Sequence, residues 1–548
     1  MPSSSLKLRQ EKIELLEKEE FDVVIIGAGI TGAGIAWDAA LRGLKVAIID
    51  KGDYGEGTSS CSSKLVHAGI RYLSNCEFSL VKLASQERML MFKMCPHQTA
   101  PIPFLIPVYK KGKNTTLRML AAGVLYDTLS SFKNTENFNF LSKEKTLEKV
   151  PHIKTDDLKH SLYYWDGIMD DARVTLETIL SAQENGALCI NYVKADSFIL
   201  EKFEQDEIVK GVNVTDIISG KSFSIKGKVI INSTGPWTDE VLSTLGIESK
   251  FLRTTKGIHI VTKRIVRNNL VVVVTADDGR SLFVIPFRSK YSLIGTTDTD
   301  YTESNDYVAV TNEDIEYVIS AVNNDFPGAL TKDDVISAYS GVRPLLLDPT
   351  AKSEDKTSRG FEIIESKFNL LTVTGGKYTI FRHMAEKTVD KILKIMHLKK
   401  RDYPCKTKKT QLYGAIGIKN MIDYLRTNVS LIIKKFGFDF EVADHIVHTY
   451  GTNHQKILTL IEKDKKLKER IVKDRPHILV EIVYSIENEM CLSLSDFMLR
   501  RTQLQLLEHQ GLDCAERIAE EMGNILGWDK NQKKQQFDNY VKDLTWNP

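Results

Sequence analysis

The chain has 548 residues, room for two to four domains of ~100–200 residues each. Its 42% hydrophobic and 27% charged content is ordinary for a soluble globular protein, and a net charge of only +2 argues against nucleic acid as the main partner. Seven cysteines are scattered without a CxxC pair, which points to reduced thiols in a reducing compartment and to no metal site.

The segment 1–20 is rich in Lys and Glu and lacks the apolar stretch of a signal peptide, so the expected location is cytoplasmic. Residues 7–20 read as a short charged helix. The apolar run Val23–Ile26 reads as a buried parallel strand. It enters Gly27-Ala28-Gly29-Ile30-Thr31-Gly32, a GxGxxG, and a helix with apolar positions at Ile30, Ala33, Ile35, Trp37, Ala40 and Leu41. A second strand, Val46–Ile49, ends in Asp50. Such a unit holds a dinucleotide. Gly27 allows the tight turn, Gly29 lets the backbone approach the pyrophosphate, Gly32 lets helix and strand pack closely, and Asp50 accepts from ribose hydroxyls. The free N–H groups of the helix N-terminus face the phosphates.

Residues 52–63 form a Gly/Ser/Thr-dense loop that suits a long phosphate-bearing cofactor. Lys64, His67, Arg71 and Tyr72 follow at once. On a helix His67 and Arg71 are i and i+4 and share a face. A helix is expected over 77–94, an extended Pro-rich stretch over 96–109 and an amphipathic helix at about 172–185. Strands follow at 222–226 and 228–231, the second ending in Asn232-Ser233-Thr234-Gly235. Several runs between 251 and 300 read as a mostly antiparallel sheet that caps the site. Arg343 is read after a small-residue turn. The strand Asn369–Thr374 leads through Gly375-Gly376-Lys377 into a helix N-terminus. A basic connector, 399–409, precedes a helical region, 411–540. The longest apolar run, Leu117–Phe132, is interrupted by Arg118 and Asp127, is too short to span a bilayer and reads as a buried helix, with a peripheral membrane face as the alternative.

Taken together, VVIIGAGITGAGIAWDAALRG, GTSSCSSKLVHAGIRYL, DDARV, NSTGPW, KGIHIV, IGTTDTDY, YSGVRPL, GGKYTIFRHMAE and the late DFMLRRT resemble the FAD-dependent glycerol-3-phosphate dehydrogenase family, in the family's order, from about residue 20 to 520. That family belongs to the flavin oxidoreductases similar to D-amino acid oxidase. One position departs: Ala68 stands where the family usually has glycine. The resemblance implies an α/β chain, α+β overall: a Rossmann-like FAD-binding domain, an antiparallel-sheet substrate domain and a C-terminal helical domain. The expected boundaries are 1–20 for a helical extension, 21–400 for the FAD domain with the substrate domain interleaved at about 75–225 and part of 251–345, and 411–548 for the helical domain.

The implied reaction oxidises sn-glycerol 3-phosphate to dihydroxyacetone phosphate, with hydride passing from C2 to flavin N5 and electrons passing on to a quinone. FAD is assigned to Gly27, Gly29, Gly32, Asp50, Thr58, Ser59, Ser63, Thr234, Gly235, Gly376 and Lys377. Substrate is assigned to Arg71, Tyr72, Arg343 and Lys377, since an arginine fork suits a phosphate dianion. His259 and His67 are the candidate general bases, and Arg343 is taken to reach the hydroxyl end as well. Asp171 and Arg173 read as a structural ion pair. A quinone acceptor implies peripheral contact with the cytoplasmic face of the inner membrane, and a homodimer is left open. Three other readings stay open: a glycerol-3-phosphate oxidase using O₂, an amine or amino-acid oxidase, and a flavin-binding protein without turnover.

Overall fold

The structure is a computed structural model and describes residues 4–112, 114–203, 206–347, 360–366 and 369–546. The run Val23–Ile26 lies in the strand Glu20–Ile26, whose last four residues are buried on both faces, as a central parallel strand requires. Its parallel neighbours are Val46–Ile49 on one side and Ser222–Asn232 on the other. Leu188–Ile190 extends the sheet beyond Val46–Ile49. Leu370–Gly375 extends it beyond Ser222–Asn232, and Phe361–Glu365 adds an antiparallel edge. The helix Ile30–Leu41 packs against Phe381–Ile395 and Asp171–Glu184. Gly34 lets the first pair approach, because a Cβ there would stand 2.9 Å from the Phe381 ring.

A ten-stranded second sheet runs from Thr299–Asp300 through Leu252–Lys263, Tyr291–Gly295, Ser281–Phe287, Val271–Thr275, Thr99–Tyr109 and Leu158–Met169 to Leu65–Val66, with Val335–Leu346 paired along Leu252–Lys263. One face closes over the dinucleotide fold. The other buries Leu105, Ile258, Val272, Leu282 and Ile294 beneath the helix Asn312–Asp325. Six helices between Met421 and Asp543 make the C-terminal part. The fold is thus the mixed α/β arrangement expected, with a helical C-terminal region.

Four local expectations are corrected. Residues 222–226 and 228–231 are one strand, because Gly227 sits in register beside Phe21 and pairing runs through it. No turn precedes Arg343: antiparallel pairing with Leu252–Lys263 keeps 335–346 extended throughout. Asp171 pairs with Lys64 at 2.5 Å, and Arg173 with Glu489 at 2.9 Å, so the two are not partners. The helix Thr116–Leu129 is not buried. It hides Met119, Gly123 and Tyr126 but exposes Leu117 (76%), Leu120 (43%) and Val124 (47%).

The C-terminal part is pinned to the dinucleotide fold by Asp53. Its carboxylate accepts from Arg501 Nη1 at 2.6 Å, Arg501 Nη2 at 2.9 Å, Arg500 Nε at 2.6 Å and Asn191 Nδ2 at 3.0 Å, all away from water. Burial alone would raise this carboxyl, but the Arg501 and Arg500 charges outweigh it and hold it well below the usual range. Asp53→Asn therefore leaves buried guanidinium charge without its counter-ion and should lower unfolding stability by about 3–5 kcal/mol in urea denaturation. The folded carboxyl being depressed, the gap between wild type and variant is full above about pH 4 and closes as the pH falls further.

Candidate active site

The site begins at the glycine turn. Gly27 has φ +99°, and a Cβ there would lie 2.7 Å from the Ser233 carbonyl oxygen. A Cβ on Gly32 would lie 1.9 Å from the Gly27 carbonyl oxygen, so strand and helix touch where only glycine fits. The Ile30 N–H donates to Ser59 Oγ at 2.9 Å, which ties the following loop to the helix N-terminus. Asp50 accepts from the Ala28 N–H at 2.6 Å and the Gly52 N–H at 3.0 Å. Enclosure pushes its carboxyl up to about 7, against the pull of those two amides.

A cavity of about 1280 Å³ runs from this turn to the second sheet. Every sequence-assigned residue lines it except Gly32, whose place is in the packing behind. At the turn end stand Gly27, Gly29, Asp50, Thr234 and Gly235. Thr58, Ser59 and Ser63 border the middle, and Gly376 and Lys377 follow. Some hydroxyls are already engaged within the protein: Thr58 Oγ1 donates to the Val342 carbonyl at 2.5 Å, and Thr234 Oγ1 to Asn232 Oδ1 at 2.6 Å. Gly375 and Gly376, at φ +73° and +93°, turn the chain from its strand into Tyr378–Ile380 and the long helix beyond.

At the far end His67, Arg71, Tyr72, His259, Arg343 and Lys377 share the cavity. Arg343 Nη2 donates to Thr296 Oγ1 at 2.8 Å, and Nη1 meets Asp298 Oδ1 at 3.2 Å. Its guanidinium lies over Gly257, where a Cβ would stand 2.1 Å from Nη2. His259 is buried, stacked on Tyr339 with ring centroids 4.9 Å apart, and its Nε2 is 2.8 Å from Ser63 Oγ. Burial first, then the Arg343 and Lys64 charges, lower its pKa well below the ordinary histidine value, so the imidazole is neutral. Lys377 Nζ lies 4.9 Å from the Tyr72 ring centre, and the Arg71 guanidinium 5.3 Å from it. His67 sits between Tyr72 and Phe283.

His67 and Arg71 do not share a helical face. His67 follows the strand Leu65–Val66, and a short 3₁₀ turn starts only at Ile70. Gly69, not Ala68, takes the positive φ of 81°, so an alanine at 68 is accommodated with its N–H on Asp166 Oδ1 at 3.1 Å. Sequence reasoning missed Gly257 as the seat of Arg343, and Lys64 with Asp171 as the brace under the 58–63 loop. Gly257 stands two residues before His259 in a quoted motif, which was its only signal. Lys64 and Asp171 are 107 positions apart and carried none.

A strand–turn–helix cradle for a dinucleotide, opening onto a second sheet that offers a held arginine and a neutral histidine, defines a dinucleotide-dependent oxidoreductase. The chain belongs to the family described as FAD dependent oxidoreductase, which matches residues 22–377, and residues 405–533 match the C-terminal domain of alpha-glycerophosphate oxidase. It is 38% identical over 537 residues to an aerobic glycerol-3-phosphate dehydrogenase of Staphylococcus haemolyticus, covering 95% of this chain and 93% of that one. Among solved structures, a glycerol-3-phosphate dehydrogenase from Bacillus halodurans complexed with FAD superposes with a TM-score of 0.80 at 30% identity, over 99% of this chain and 98% of that chain. A glycine oxidase from Geobacillus kaustophilus, at 18% identity and TM-score 0.54, shares the fold over 71% of this chain and 99% of that one. The cofactor is accordingly FAD, and the tight glycine turn with Gly27 and Gly29 lining the cavity fits its pyrophosphate.

Gly32→Ala should drive Cβ into the Gly27 carbonyl and yield protein that purifies without flavin colour. His259, its pKa lowered by burial, should titrate at lower pH than the exposed histidines, read from the imidazole ¹⁵N signals.

Proposed function

We propose that the protein oxidises sn-glycerol 3-phosphate to dihydroxyacetone phosphate, with FAD as first acceptor and a membrane quinone as the next. The observation that carries this reading is Arg343, held by Thr296 and Asp298 over Gly257 at the end of the FAD cavity. Pre-orienting the fork in this way spares a bound phosphate the loss of side-chain freedom that an unrestrained arginine would suffer. Arg71 and Lys377, both stacked on Tyr72, add positive charge to the same end. The aerobic glycerol-3-phosphate dehydrogenases at 37–38% identity support the substrate.

Neutral His259 is the base we assign to the C2 hydroxyl. Its unprotonated state is secured by burial and by the cations beside it, and Ser63 and Tyr339 hold its ring in place. His67 lines the same end and is assigned to the aromatic wall with Tyr72 and Phe283. When bound, FAD supplies the acceptor for the hydride that leaves C2.

The quinone reading draws support from the helix Thr116–Leu129. Leu117, Leu120, Val124 and Leu125 stand outward, and Lys110, Lys111, Arg118 and Lys133, in or flanking this helix in sequence, are exposed. An exposed apolar helix face with cations nearby in sequence suits the surface of an anionic bilayer, where a quinone resides. Among the described residues no helix is long and apolar enough to cross a membrane.

Anaerobic titration with glycerol 3-phosphate should bleach the flavin, and sarcosine should leave it yellow; the reverse would replace this reading with an amine oxidase. Arg343→Ala should cost about 1.5–3 kcal/mol, seen as a ~10–150-fold loss in kcat/KM with FAD retained. Reoxidation by a soluble quinone faster than by O₂ supports the dehydrogenase over the oxidase. Exchanging Leu117, Leu120 and Val124 for serine should abolish most co-sedimentation with anionic vesicles while leaving bleaching intact.

A further inference from the structure

We propose that the N-terminal helix Ser4–Lys18 belongs to the cofactor site. Through Arg9 it fixes the turn at Asp216–Ser219, whose Ile217 and Ile218, with Leu6 of the helix itself, form the wall on which the adenine of FAD rests.

Arg9 is buried although it lies within the first ten residues. Its Nη2 donates to Asp216 Oδ1 at 2.8 Å and to the Asn191 carbonyl at 2.9 Å, and its Nη1 to Asp216 Oδ2 at 3.2 Å. The same Asp216 carboxylate accepts from the Ile218 N–H at 3.2 Å and from Ser219 Oγ at 2.5 Å. One carboxylate thus closes the turn and ties it to the helix. The turn is also laced to the strand that carries Asp50. The Ile217 N–H donates to the Tyr192 carbonyl at 2.9 Å, the Tyr192 N–H to the Gly52 carbonyl at 3.0 Å, and the Val193 N–H to the Asp50 carbonyl at 2.7 Å.

The consequence is visible at the cavity mouth. Leu6, Ile217 and Ile218 line the cavity together with Asp50, Lys51 and Gly52, the end assigned to the ribose hydroxyls. Ile217 and Ile218 are 50% and 49% exposed, two adjacent apolar side chains open to water on an otherwise polar turn. A flat, weakly hydrated heterocycle attached to a ribose on Asp50 is the part of FAD that would cover them. Neither the glycine turn nor Asp50 needs an N-terminal helix. The buried Arg9–Asp216 pair ties that helix to the turn, and so gives Ser4–Lys18 a task beyond packing.

Because breaking a buried ion pair can unfold a protein, the test uses two variants of the full chain. Arg9→Ala removes the anchor. The double variant Ile217→Ser with Ile218→Ser changes only the exposed wall and leaves the anchor in place. Flavin-free protein is titrated with FAD and, separately, with ADP, which carries the adenosine and pyrophosphate but no ring to be reduced. The expected result is about tenfold weaker binding of both probes by the double variant, with its urea midpoint unchanged, and a comparable or larger loss for Arg9→Ala. Wild-type affinity for ADP in the double variant would overturn the proposal, whatever Arg9→Ala does.

Discussion

Asp53 stands just past the acid-bearing strand of the dinucleotide fold, without access to water, and four donor atoms from two parts of the chain converge on it. Arg500 and Arg501 bring the C-terminal helices, and Asn191 brings the edge strand and, through its own carbonyl, Arg9 of the first helix. A buried carboxylate between two guanidiniums is stable only as a complete set, since removing one member leaves uncompensated charge in a poorly polarisable interior. The loop from Asp50 to Glu56 therefore requires the C-terminal helices that carry Arg500 and Arg501 to be in place. The cofactor site, built on that loop, inherits the same requirement.

From that joint the cavity runs to a second sheet whose chemistry rests on one close approach. Gly257 permits the Arg343 guanidinium to lie flat against a strand, and Thr296 and Asp298 set its direction. The same positive charge helps to keep His259 neutral. Cation and base are thus coupled: the group assigned to the phosphate also helps set the protonation state of the group assigned to the hydroxyl. Burial is the larger of the two influences on His259, and the Arg343 charge acts in the same direction.

The helix Thr116–Leu129 shows where periodicity misleads. Its apolar residues are numerous enough to suggest a core element, yet the residues that pack inward are Met119, Gly123 and Tyr126, and the leucines are left outside. Apolar content is a property of the sequence, whereas which face meets the protein depends on where Phe138 and Arg88 come to lie. Gly123 rests against the first, and the Tyr126 hydroxyl accepts from the second while donating to Asp166.

The sequence by itself determined the strand–glycine turn–helix–acid unit and the second glycine turn before Lys377. These are local patterns, in which a φ angle, a missing Cβ or an alternation of apolar positions is written into a few adjacent residues. The tertiary structure alone decided the partners of those residues. Asp171 chose Lys64 rather than the neighbouring Arg173, Arg343 found its seat on Gly257, and 335–346 stayed extended where a turn was expected. Ion pairs and strand pairings close across many tens of residues, more than a hundred for Lys64 and Asp171, and their geometry depends on how whole sheets dock. No window of sequence contains that information.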